Sequence, residues 1–182
     1  STLDRSSAAS DVYKRQVDTL REKQKRGSLL WVLDKTRTAM GARLLRTYVE
    51  QPLIEKAEII KRQKLIEALN ANEITRDEIR EYLNPIYDLE RLITRITYQS
   101  ANPRDLIAFR DSLKMLPPIK QQLSDIPCEL TDEINEEFDE LKDIYELLLS
   151  SIEDEPPISQ RDGDIIKAVS YTHLTLPTSD LV

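Results

Sequence analysis

Apolar residues recur in this chain at steps of three and four, and several such series run into a proline. Met40, Leu44, Leu45, Tyr48 and Val49 form one stripe that stops at Pro52, and Ile79, Tyr82 and Leu83 stop at Asn84-Pro85. Leu106, Phe109, Leu113 and Leu116 stop at Pro117-Pro118, and Ile134, Phe138, Leu141, Tyr145, Leu148 and Ile152 stop at Pro156-Pro157. A 3.6-residue period puts such residues on one helix face, and proline cannot continue a helix without losing a hydrogen bond. The pattern predicts an all-α, multi-helix bundle. Three glycines and 5% aromatics, against 32% charged residues, suit long solvent-facing helices better than a twisted sheet with tight turns.

Boundary signals refine this. Asp34, Thr36 and Thr38 supply short side-chain oxygens that cap a helix running to Pro52, and Thr75 with Glu78 reads as a capping box. Glu55 to Asn70 reads as a surface helix with Ile59, Ile60, Gln63, Ile66, Ala68 and Leu69 inward and Lys61, Arg62, Lys64 and Glu67 outward. Ile86, Leu89, Leu92, Ile93 and Ile96 restart the period, and Asn102-Pro103 offers a cap followed by proline at the first helical position. The longest series, Leu130 to Ile152, predicts one unbroken lever-like helix. Arg161-Asp162-Gly163, between Ile158 and Ile165-Ile166, predicts a small β-hairpin near residues 157–167. Trp31, Leu44, Leu92 and Phe109 are expected to face inward.

The net charge of −7 conceals an asymmetry: Lys14 to Lys64 holds 14 basic and 6 acidic residues, whereas Ile119 to Pro156 holds 2 basic and 13 acidic. A basic first half can sit near phosphate, and an acidic second half is repelled from it. The basic set Arg21, Lys23, Lys25, Arg26, Lys35, Arg37, Arg43 and Arg46 is the one candidate nucleic-acid patch. No aromatic ladder for base stacking is interleaved with it, and Arg46 and Glu50 are spaced to pair with each other on a helix surface. Arg91 and Arg104, near Asp88 and Asp105, read as a structural ion network between packed helices.

Several chemistries lack their residues. Gly27, Gly41 and Gly163 are too far apart for a phosphate-cradling loop, and the lone Cys128 and lone His173 form neither a nucleophile pair nor a metal cluster. No catalytic, cofactor-binding or metal residue is therefore assigned, and the segment is not expected to be an enzyme. The single cysteine fits a reducing, cytoplasmic setting. No apolar run approaches the roughly 20 residues that span a bilayer, so a membrane partner is not expected.

Four blocks then carry a resemblance. GSLLWVLDKTRTAMGARLLRTYVEQP (Gly27 to Pro52), DLERLITRI (Asp88 to Ile96), ANPRDLIAFRDSLKMLP (Ala101 to Pro117) and EPPISQRDGDIIK (Glu155 to Lys167) occur in this order. Together they resemble the core, or lever, domain of the MutS family of DNA mismatch-recognition proteins. The resemblance covers residues 17–167. It implies an all-α core linking mismatch-sensing and clamp domains to a C-terminal ATPase. The partners it implies are the other domains of the same chain, DNA, and a second copy in a homodimer. ATP and magnesium are implied for the full-length parent and not for this segment. Phe138-Asp139-Glu140 matches that family's Phe-x-Glu wedge string, but Glu136, Glu137, Asp139, Glu140 and Asp143 would repel phosphate, so Phe138 reads as a core residue. The alternative reading is a stand-alone helical nucleic-acid-binding module using the basic region 21–46.

The ends differ in character. DVYKRQ near the start and VSYTHLTLPTS near the end resemble translated sequencing-adaptor sequence, so residues 1–16 and 168–182 read as non-native or disordered tails.

Overall fold

A computed structural model describes residues 26–155 and 165–167, and the described part is all-α. Ser28 starts helix α1 (Leu29–Leu33) by accepting the Trp31 N–H on its hydroxyl at 3.2 Å. Thr38 does the same for α2 (Ala39–Glu50), accepting from Gly41 N–H at 3.0 Å. Gln51 caps α2 ahead of Pro52, as the proline rule requires. Helix α3 spans Lys56–Ala71, α4 Glu73–Leu83, and α5 Leu89–Thr97 with Asp88 as its N-cap. Helix α6 (Pro103–Leu113) opens with a reciprocal box in which Asn102 and Asp105 each accept the other's backbone N–H. Helices α7 (Leu116–Ser124), α8 (Glu129–Glu137) and α9 (Lys142–Ser151) follow.

The central cluster is Leu92, Phe109 and Leu113, wrapped by Leu89, Ile96, Ala108, Leu116, Leu141, Ile144, Tyr145 and Leu148. It joins α5, α6 and α9, and each fully buried aliphatic or aromatic side chain there contributes about 1.5–3 kcal/mol relative to exposure. Helices α3, α4, α7 and α8 make the neighbouring group, with α3 against α8, α4 against α7, and α7 against α8. Ile119 and Ile126 are its buried residues, and Thr131 closes it by donating its hydroxyl to Ile126 O at 2.7 Å. Helix α1 leans on α2.

Five expectations from the sequence are corrected. The series from Leu130 to Ile152 is not one helix: α8 ends at Glu137, Phe138 is extended, and Leu141 adopts a left-handed conformation (φ 50°, ψ 42°) before α9 begins. Asp139 accepts the Leu141 N–H at 2.9 Å and the Lys120 ammonium donates to Phe138 O at 2.6 Å, which gives the break local partners. The apolar period survives because Leu141, Ile144, Tyr145 and Leu148 still face one way, toward the α5–α6 cluster. Phe138 accordingly lies at a helix end, half-buried, and not on a continuous stripe.

Pro117-Pro118 does not close a helix but lies in the first turn of α7, where a missing N–H removes no intrahelical bond. Thr75 is no cap, because α4 already starts at Glu73: the Asn72 carbonyl accepts from Arg76 N–H at 3.0 Å, and a single residue separates α3 from α4. On α3, Ile60 and Ile66 are exposed, whereas Lys61 and Arg62 turn to the half-buried side, where each finds a partner. Leu92 and Phe109 are buried as expected, but Trp31 and Leu44 are each 51% exposed. Helices α1 to α4 contain no fully buried side chain among the described residues.

The expected hairpin turn at 158–163 lies outside the described residues. Ile166 pairs in antiparallel fashion with Ile152 through an isolated bridge, with Lys167 N–H donating to Ser151 O at 2.9 Å. The residues read as tails, 1–16 and 168–182, also lie outside the described part.

Candidate functional site

Arg43 is the residue on which separate helices converge. It projects from α2 and meets the start of α5, where its two terminal nitrogens each lie 2.7 Å from an Asp88 carboxylate oxygen. Its Nε donates to Glu90 Oε2 at 3.0 Å. Asp88 has a second duty as N-cap of α5, accepting the Arg91 N–H at 3.3 Å. The carboxylate thus sits at a helix N-terminus inside a two-pronged guanidinium fork, both of which favour its charged form. The Arg43 hydrogen bonds hold the Asp88 carboxyl below its usual range, burial opposes them, and the Arg91 N–H adds to the lowering. Asp88 and Glu90 in turn hold the Arg43 guanidinium above its already high value.

Three further contacts tie the remaining elements. Arg62 of α3 lies over the Tyr48 ring of α2 at 4.0 Å from the centroid, and the Lys61 ammonium pairs with Glu133 of α8. That hydrogen bond raises the Lys61 pKa. Arg95 of α5 donates to both Asp105 oxygens at the start of α6, at 2.9 and 3.1 Å. Arg110 of α6, whose side chain is 11% exposed, bonds Asp154 at 2.6 Å just past α9, and Lys167 lies 3.9 Å from the same carboxylate. Burial works to lower the Arg110 pKa, but its bonds to Asp154 and Asp111 outweigh it and leave the value raised. Arg110 and Lys167 together hold the Asp154 carboxyl below its usual range.

The expected ion network exists, with different cations. Asp88 and Asp105 are its acids, but Arg43 and Arg95 are their partners in place of Arg91 and Arg104. Sequence distance hid Arg43, which lies 45 residues before Asp88. The readable clue was Asp88 itself, an acid placed immediately before a helix. Nothing local marked Arg110 with Asp154, or Lys120 with the Phe138 carbonyl.

Of the candidate nucleic-acid set, Arg21, Lys23 and Lys25 lie outside the described residues. Arg26, Lys35 and Arg37 are exposed, Arg43 is held by Asp88 and Glu90, and Arg46 by Glu50 at 2.8 Å. A shallow groove of about 380 Å³ lies between α1 and α2, lined by Trp31, Asp34, Lys35, Arg43 and Arg46 among others. Among the described residues, no group of three His, Cys, Asp or Glu side chains could hold a metal, and no helix is long and apolar enough to cross a membrane. Among the described residues the geometry is one of helix-to-helix ties distributed over several elements.

Comparison with known proteins accords with this picture. The family model for MutS domain III matches residues 12–176. A DNA mismatch repair protein MutS from Lachnoclostridium phytofermentans is 61% identical over 157 residues, covering 86% of this chain and 17% of the relative. The proteins of that name from Clostridium tetani and Bacillus subtilis are 47% identical over 150 residues and 40% over 161. They cover 82% and 86% of this chain, and 17% and 19% of their own lengths. The chain thus spans less than a fifth of the relatives it matches, and that fifth is the core segment. With a family match running along most of its length, the chain belongs to the MutS domain III family of DNA mismatch repair proteins.

Proposed function

We propose that this segment is the structural lever of a DNA mismatch repair protein, joining mismatch-binding and clamp domains to a C-terminal ATPase in the bacterial cytoplasm. The observation that carries this reading is the 61% identity of 86% of the chain to 17% of a DNA mismatch repair protein. Its partners are then the neighbouring domains of the same long chain, DNA held by those domains, and a second copy in a homodimer. ATP and magnesium belong to the ATPase, and the residues of this segment perform no reaction.

The ion pairs suit the role. Arg43 fixes α2 to α5, Arg95 fixes α5 to α6, and Arg110 fixes α6 to the chain beyond α9. Helices cross-linked in this way shift as bodies, which is what transmission between distant sites needs. The exposed apolar side chains Leu29, Trp31, Val32 and Leu33 on α1 suit a segment that meets further protein.

The test is made in a full-length mismatch repair protein carrying this segment. Arg43→Ala together with Asp88→Ala is expected to leave mismatch binding and ATP turnover each measurable while weakening the change in turnover that mismatched DNA produces. Unaltered coupling would remove the lever reading. In a gel-shift titration the segment alone is expected to bind duplex DNA weakly. A tight complex that weakens steeply with salt would instead favour the stand-alone nucleic-acid module built on region 21–46.

A further inference from the structure

The break between α8 and α9 is at odds with its own sequence. Residues 129–151 contain neither glycine nor proline, and Glu136, Glu137, Glu140, Leu141 and Lys142 at the break are good helix formers. Even so, the chain leaves the helix at Phe138 and places Leu141 in the left-handed region, where a Cβ crowds the carbonyl oxygen. Glu136 and Glu137 also occupy the last turn of α8, the end at which a helix disfavours negative charge. Local strain that persists against propensity must be held by its surroundings.

Two side chains do the holding. Lys120, reaching over from α7, donates to Phe138 O at 2.6 Å and lies 5.9 Å from the centre of the Phe138 ring, so a cation meets the carbonyl end of α8. Asp139 accepts the Leu141 N–H at 2.9 Å and so stabilises the turn. The two sides of the break are anchored unequally. Helix α9 places Ile144, Tyr145 and Leu148 on the main core, and Arg110 grips the chain just beyond its end. Helix α8 buries only Thr131 completely, leaves Ile134 exposed, and pairs Glu133 with Lys61.

We propose that the Phe138–Leu141 joint is a two-state element, bent while Lys120 holds the Phe138 carbonyl and straight when α8 releases from α3 and α7 to continue α9 as one helix. In the straight state Leu141 becomes right-handed and the amides of Lys142, Asp143 and Ile144, which have no intrahelical acceptors when bent, bond to the carbonyls of Phe138, Asp139 and Glu140. The unbroken apolar period from Ile134 to Ile152 is the trace of that second state in the sequence. Any surface that captures α8, or that draws Lys120 from Phe138 O, shifts the balance toward the straight form.

Backbone chemical shifts and amide exchange of the 182-residue chain test this. In the unaltered chain Leu141 should show left-handed values. In Asp139→Ala and in Lys120→Met it should move toward right-handed helical values, and exchange at Leu141 to Ile144 should slow by about tenfold. The α6 amides report whether the core is intact. Asp139 is exposed, so its variant decides alone if Lys120→Met disturbs α7. Leu141 remaining left-handed with unchanged exchange would overturn the proposal. So would an α8 that turns to coil while α9 still begins at Lys142.

Discussion

Ser112, with none of its surface exposed, accepts the Tyr87 N–H on its hydroxyl at 3.0 Å while donating to Ala108 O at 2.7 Å. This one side chain ties the α4–α5 connection to the last turn of α6. Ser112→Ala leaves the part-buried Tyr87 N–H without its acceptor, a loss of about 1 kcal/mol. Urea denaturation should show a lower midpoint with an unchanged slope, and a midpoint equal to that of the parent would mean water replaces the hydroxyl.

Acid should loosen the α2–α5 tie. Asp88 is held below its ordinary value of 3.8 in the folded chain, so its contribution to stability is complete above that pH. It is lost as pH falls through the lowered folded value. Asp154, lowered likewise, adds to the same acid-side decline. Chemical denaturation between pH 6 and pH 2 should give a steeper loss in the parent than in Asp88→Asn, whose residue 88 does not titrate. Parallel curves would show that the Arg43 fork does not bias protonation.

Gln99 closes α5 with φ of 53°, its N–H donating to Ile96 O at 3.0 Å and the Ser100 N–H donating to Arg95 O at 2.9 Å. This is the helix-ending geometry that glycine normally fills. Gln99 is exposed and loses nothing by truncation, so Gln99→Gly should stabilise the chain by about 0.5–1 kcal/mol. A thermal melt that fails to shift upward would show that the turn relaxes without penalty.

Removing the cap of α6 should have the opposite effect. Asn102→Ala removes the side-chain acceptor of the Asp105 N–H, at about 1 kcal/mol, while Asn102→Ser should retain most of that. The pair Arg95–Asp105 stays in place in both variants, so their difference isolates the cap. Equal stability of the two variants would assign the effect to something other than the side-chain oxygen.

The helices were legible wherever local chemistry and burial agreed. Asn102-Pro103, Thr38 and Pro52 each act within one turn of the chain, and the structure uses all three as the sequence indicates. Leu92 and Phe109 are inside because their stripes face a partner helix. Trp31 and Leu44 are apolar too, but among the described residues no helix packs over them closely enough to bury them. Pro117-Pro118 misled because the same residue that ends one helix is tolerated in the first turn of the next. The break at Phe138 was hidden because the apolar period runs through it without a gap and no glycine or proline marks it. The ion pairs were half legible: Asp88 and Asp105 announced themselves as helix-start acids, whereas Arg43 comes from a distant segment and Arg95 is brought to Asp105 by the turn between α5 and α6.

Because the sole tryptophan, Trp31, is half-exposed on α1 and away from the Leu92–Phe109–Leu113 cluster, its fluorescence is a poor gauge of core melting. The same placement makes it a sensitive optical beacon for anything that comes to rest on α1. An emission maximum that moves to the blue on adding a neighbouring domain would register the loss of water around that indole without any label being attached.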